Sequence, residues 1–132
     1  MLHLIKLCVG CDSVEDLVQW QRNRSPLEHW TRSHPRRAAE ITAGGSLYWV
    51  IKGQVRVRQR VLKLERREDE EGVWCAIVLG RRLFRVQPRL HRPFQGWRYL
   101  EVEEAPLDLG KGQLADELPE KLASELRALG LL

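Results

Sequence analysis

Apolar residues alternate with polar ones in some stretches of this chain and recur every three or four positions in others, and the change of period divides it into elements. Leu2, Leu4, Ile5, Leu7 and Val9 surround His3 and Lys6, which predicts a mostly buried first strand over residues 2–9, ended by Gly10. Ser13 followed by Asp16 resembles a capping box, and Val14, Leu17, Val18 and Gln21 then sit at helical spacing, so a helix is expected to near Arg22. A second, short helix is expected behind Ser33-His34-Pro35, carrying Ala38, Ala39 and Ile41 and stopping at Gly44-Gly45.

Residues 46–65 form the longest strand-like run, Tyr48-Trp49-Val50-Ile51 and then Val55, Val57 and Val61 with arginines between; Gly53 predicts a break or a sharp bend. The charged stretch 66–72 reads as a hairpin loop, and the almost continuous apolar run 73–79 as a strand that belongs at the centre of a sheet. Residues 83–86 extend that sheet, and 94–100 supply a last short strand after a proline-bounded connection. Farther on, Leu118, Leu122, Leu126 and Leu129 at steps of three and four, with Pro119 near the start and Gly130 as the stop, predict a closing amphipathic helix. The order β-α-α-β-β-β-β-α argues for an α+β fold, with a small, strongly curved, mostly antiparallel sheet or partial β-barrel, two N-terminal helices and one C-terminal helix.

A chain of 132 residues is the size of one domain. No apolar run approaches the roughly 20 residues of a membrane helix, and the apolar N-terminus is too short for a signal peptide, so a cytoplasmic protein without a membrane partner is expected. Three cysteines, Cys8, Cys11 and Cys75, cannot all pair within the chain and read as thiols in a reducing compartment. Charge is unevenly spread. Residues 1–100 carry 19 Lys/Arg against 10 Asp/Glu, a balance of +9, whereas residues 101–132 carry 3 against 8, a balance of −5. The expectation is therefore a single domain over residues 1–132, with a basic body and an acidic connection leading to the closing helix.

Arginine dominates the basic body, and it is the side chain suited to bidentate phosphate contact and to stacking on rings. Arg56, Arg58 and Arg60 alternate with Val55 and Val57, so period two is expected to gather the guanidinium groups on one sheet face, as a surface for a nucleic-acid backbone or as a solvated face beside the acidic loop. The stretch Trp30-Thr31-Arg32-Ser33-His34-Pro35-Arg36-Arg37 leads into an expected helix start, where free N–H groups favour an anion and three arginines, hydroxyls and an imidazole join them; the alternative is a simple helix cap at Thr31 or Ser33 with solvated arginines. Of the five tryptophans, Trp49 and Trp74 lie in the most apolar strands and are expected in the core. Trp30 and Trp97 sit beside basic residues and are candidates for stacking on a base, which completes a ligand pocket of Trp30, Thr31, Arg32, Ser33, His34, Arg36 and Trp97.

Cys8-Val9-Gly10-Cys11 has the spacing of half a zinc site, but no second pair exists, and Cys75 with His3, His34 or His91 would have to be gathered by the fold. No metal or other cofactor is expected. The chain lacks a nucleophile elbow, a phosphate loop and a dinucleotide fingerprint, so no catalytic residue is assigned.

Three segments, Leu2-His3-Leu4-Ile5-Lys6-Leu7-Cys8-Val9-Gly10-Cys11, Ser46-Leu47-Tyr48-Trp49-Val50-Ile51-Lys52-Gly53 and Phe94-Gln95-Gly96-Trp97-Arg98-Tyr99-Leu100, resemble a bacterial family of small conserved proteins catalogued as a domain of unknown function. More distantly, the order of Lys6, the helix start at Ser13 to Asp16, Trp30 with Arg32 and the strands from Tyr48 is similar to that of the pseudouridine-synthase-and-archaeosine-transglycosylase-like superfamily, whose small modules read modified bases. The chain departs from that pattern at Cys8-Val9-Gly10-Cys11, where the superfamily has an acidic-proline step. These observations favour a non-catalytic nucleic-acid-binding module, its finer form being recognition of RNA or of a modified base. Two alternatives stay open: a protein-interaction or assembly subunit that binds no nucleic acid, and a small enzyme acting on a phosphorylated or nucleotide substrate.

Overall fold

The computed structural model describes residues 1–109. Strand β1 (His3–Leu7) leads through Gly10, at φ 85°, into helix α1 (Val14–Arg22). Ser13 caps that helix by accepting a hydrogen bond from the Asp16 N–H at 3.2 Å. Strand β2 (Glu28–Thr31) and helix α2 (Ala38–Thr42) follow, then the hairpin of β3 (Ser46–Ile51) and β4 (Gln54–Asp69). Its two-residue turn takes positive φ at Lys52 (50°) and Gly53 (76°), the backbone that matches the twist of paired strands. Strands β5 (Gly72–Leu79), β6 (Phe84–Leu90) and β7 (Trp97–Leu100) and a short 3-10 turn at Val102–Glu104 complete the described chain.

The seven strands form one sheet in the order β2-β5-β4-β3-β1-β7, with β6 paired to β4. Two expectations about this sheet are corrected. It is mixed, because β1 and β3 run parallel with Leu4 opposite Leu47 and Lys6 opposite Trp49. The crossover through α1, β2 and α2 returns the chain in its original direction, where a hairpin would have reversed it. Among the described residues the sheet is also open, since β2 and β7 end it on opposite sides and do not pair, so they form no barrel. Among the described residues there are two helices, α1 of nine residues and α2 of five. The closing helix expected beyond Leu118 lies outside the described residues.

Every residue of β3 is buried, and period two distributes them between two cores. Leu47, Trp49 and Ile51 join Leu4, Leu17, Ile41, Val57, Val61 and Ile77 on the face covered by α1 and α2. Tyr48 and Val50 join Ile5, Val55, Val86 and Leu100 on the other. Val55 and Val57 therefore point to opposite faces, against the simple alternation expected of β4. The register explains it: Val50 pairs with Val55 and Trp49 with Val57, leaving Arg56 as the extra residue of a β-bulge.

Other differences are local. Residues 66–69 belong to β4, and the loop shrinks to a turn at Glu70 and Glu71. Strand β5 lies next to the edge strand β2 and not at the centre. Trp49 is buried as expected, but Trp74 is half-exposed beneath the Arg32 guanidinium, 3.6 Å from the ring centroid. Cys8 and Cys11 form a disulfide with Cα atoms 5.6 Å apart, which corrects the thiol reading for that pair; Cys75 is a free thiol buried in β5. No described helix is long and apolar enough to cross a membrane.

Candidate nucleic-acid interface

Strand β2 is an edge strand held to the sheet on one side by β5, with Trp30 opposite Ala76 and Thr31 opposite Cys75. Thr31 is consequently buried and Trp30 turns to the other side, half-exposed, where its indole N–H donates to Glu28 at 2.8 Å and its ring tilts against Trp74. After Thr31 the chain leaves the sheet, and residues 32–36 run past β7 toward α2. The Trp97 indole N–H donates to the Ser33 carbonyl at 2.9 Å, and the Tyr99 hydroxyl accepts from the Arg37 N–H at 3.2 Å. These two bonds tie the segment to β7.

Between them lies a cleft of about 780 Å³ lined by Thr31, Arg32, Ser33, His34 and Arg36 on one side and by residues 95–99 on the other. All the pocket residues expected from sequence except Trp30 meet here, and Arg98 and Tyr99 are additions. Tyr99 could have been read from β7, because it shares a face with Trp97 at the next alternate position; the two rings meet edge to face, centroids 4.9 Å apart. Arg98 carried no separate signal beyond its charge.

The arginines of the cleft differ in freedom. Arg32 donates to the Glu71 and Val73 carbonyls at 3.1 and 3.4 Å and covers Trp74, so it is held in place. Arg98 donates to the Gln95 and Trp97 carbonyls and lies over Phe94. Arg36 and His34 are exposed. Just outside, Arg37 is paired with Glu40 at 2.7 Å and with Glu101 at 3.4 Å, and the Glu40 carboxyl is held below its ordinary range chiefly by that hydrogen bond. No carboxylate lines the cleft among the described residues.

The arginines of β4 lie elsewhere. Arg58 and Arg60 share the face of their partners Tyr48 and Ser46, while Arg56 stands at the bulge. The Arg58 guanidinium makes a two-pronged contact with Asp108, at 2.8 and 2.7 Å, donates to the Ser46 hydroxyl at 2.9 Å and covers Phe84. Arg60 reaches the Gly45 carbonyl at 3.5 Å.

A second cavity, of about 410 Å³, opens between β1, α1 and β2 around Lys6, Trp20, His29 and Trp49. Burial lowers the Lys6 amine below the ordinary lysine range. Burial, then the charges of Lys6 and Arg24, push His29 down to about 4, so its ring is neutral at pH 7.

No curated protein and no solved structure matches the chain. One family does, over residues 4–132, and the chain belongs to it: "Protein of unknown function (DUF1489)".

Proposed function

We propose that the protein is a nucleic-acid-binding module that holds a single strand in the cleft between residues 31–36 and β7. The observation that carries this reading is the meeting of Arg32, Arg36 and Arg98 with Trp97 and Tyr99 on one lining that has no carboxylate among the described residues. Arginines contact phosphate and release counterions, which drives sequence-independent affinity. Half-exposed aromatic rings beside them take unstacked bases, which a duplex does not offer. The indole of Trp97 is already held by Ser33, so little side-chain freedom is lost on binding. Arg58, neutralised by Asp108, contributes less to such a surface than the cleft does. Unstacked bases are presented chiefly by RNA loops and ends, which favours RNA as the strand.

Fluorescence anisotropy with labelled single-stranded RNA and DNA over a salt series tests it. Wild-type protein is expected to bind RNA, more weakly as salt rises. Arg36→Ser with Arg98→Ser should flatten the slope of log K against log salt by about 1.4, two contacts at about 0.7 each for a single strand. Trp97→Ala should weaken binding by about 1–3 kcal/mol with the slope unchanged, and Arg56→Ser with Arg60→Ser should cost less than the cleft pair. Failure to bind at low salt, or equal binding by wild type and the cleft variants, sinks the reading.

A further inference from the structure

The cavity around Lys6 is built differently from the cleft. Lys6 stands in β1 between Trp49 of β3 and Trp97 of β7, its partners in the parallel and antiparallel ladders. Its ammonium is half-buried and pairs with no carboxylate among the described residues. Such a charge is costly to hold in a partly dry site unless an anion joins it. Asp16 lines the same cavity, but its carboxylate accepts from the Asp12 N–H at 2.8 Å at the start of α1.

The rest of the lining is partly aromatic. The His29 ring meets Trp20 edge to face at 5.8 Å and Trp49 at 5.4 Å. Trp49 is fixed from behind, its indole N–H donating to Gln59 at 2.8 Å, and Gln59 is itself paired with Gln21. Trp20 is covered on one side by Arg24, 4.0 Å from the ring centroid. The site thus offers one cation, one carboxylate engaged at the start of α1, one neutral imidazole and an exposed indole within about 410 Å³, a volume inside the usual range for small-molecule pockets.

We propose that this cavity binds a small planar aromatic acid as its monoanion, with the acid group on the Lys6 ammonium and the ring against Trp20 and His29, which rest on the buried Trp49. With Asp16 engaged by the Asp12 N–H, the Lys6 ammonium is the group left to meet an acid, and a monoanion leaves less charge unmatched there than a phosphate dianion would. The site shares no lining residue with the arginine cleft, so it does not depend on nucleic-acid binding.

Calorimetric titration of the full chain with 2-naphthoate, and with its uncharged amide, tests the proposal. The acid is expected to bind at least about tenfold more tightly than the amide, and Lys6→Met to remove that difference, as loss of a charged hydrogen bond does. Lys6→Arg keeps the cation and should keep the preference, which guards against a Met variant that folds poorly. Arg36→Ser with Arg98→Ser should bind naphthoate as wild type does, even where it has lost RNA. No binding of the acid, equal binding of acid and amide, or loss of naphthoate in the cleft variant overturns the assignment.

Discussion

Lys6 and Trp97 stand directly opposite one another in the antiparallel ladder of β1 and β7, and they mark the seam between the two recesses on this face of the sheet. Trp97 lines the arginine cleft and Lys6 lines the aromatic cavity. Strand β2 repeats the division, because alternate residues share a face: Thr31 borders the cleft and His29 the cavity. Two polar recesses of different chemistry are therefore held a side chain apart by paired strands, with no loop between them to let their spacing drift.

His29 makes the fold acid-sensitive. Its folded value of about 4 lies below the ordinary 6.5, so between those values the unfolded chain takes up a proton that the folded chain refuses. Stability from this group is full above pH 6.5 and is lost as pH falls toward 4, by up to about 3 kcal/mol. Burial lowers His3 too, in the same sense. Urea unfolding from pH 7 to pH 4 should show the loss, and His29→Gln should flatten the part due to His29. An unchanged pH profile in that variant would mean that the imidazole is solvated.

The buried amide of Gln59 has every hydrogen-bonding site filled. Its oxygen accepts from Gln21 and Trp49, both at 2.8 Å, and its nitrogen donates to Gln21 at 2.8 Å and to the Gly80 carbonyl at 3.1 Å. Gln59→Leu preserves bulk but strands all those partners, and should cost about 3 kcal/mol of unfolding free energy. Adding Gln21→Leu should cost less than its single effect on wild type, since the amide it removes is already orphaned. Denaturant melts of the two single variants and the double variant give the coupling. Strict additivity would show that the pair is not a unit.

Local signals made α1 and the β3–β4 hairpin legible: a capping serine, apolar residues at helical steps, a β-branched run, and a glycine where φ is positive. The grouping of residues 31–36 along one cleft was legible for the same reason, because neighbours in sequence stay together wherever the chain runs. Trp30 departs from them because Glu28–Thr31 is a strand, and alternation turns it away from Thr31. Nothing in Glu28-His29-Trp30-Thr31 announces an edge strand; its pairing with β5 makes it one. The parallel pairing of β1 with β3 is equally non-local, and it is what sets Lys6 beside Trp49. Along β4, a single bulged arginine reversed the faces inferred from a strict period of two.

Gly45 leaves less room for a side chain than any other described glycine. Its N–H donates to the Ile41 carbonyl at 2.7 Å and its own carbonyl accepts from Val61 at 3.0 Å. A Cβ there would run into the carbonyl oxygens of Leu2 and Ile41, both backbone atoms held by neighbouring elements. Gly45→Ala should therefore destabilise by more than about 3 kcal/mol, well beyond an ordinary surface substitution. Gly53→Ala is the contrast: nothing lies within 4 Å of its added Cβ, and only the φ of 76° opposes it. Thermal melts of the two variants should rank Gly45→Ala far below Gly53→Ala. The reverse order would place the contact between α2 and β1 wrongly.

The three cysteines should separate cleanly by reactivity. Cys8 and Cys11 are joined across the turn that follows β1 and line the cavity around Lys6, whereas Cys75 is 1% exposed and burial pushes its thiol up to about 11. A buried, protonated thiol is a poor nucleophile, since the thiolate is the attacking form. Native protein kept oxidised should take up no iodoacetamide. After mild reduction Cys8 and Cys11 should be labelled, and Cys75 only once denaturant is added, as peptide mass mapping will show. Labelling of Cys8 and Cys11 without reductant would mean that the pair is open in solution, and early labelling of Cys75 that β5 lifts from β2 readily. If reduction also changes naphthoate affinity, the disulfide shapes the cavity wall; if it does not, Lys6 and the aromatic residues define that wall alone.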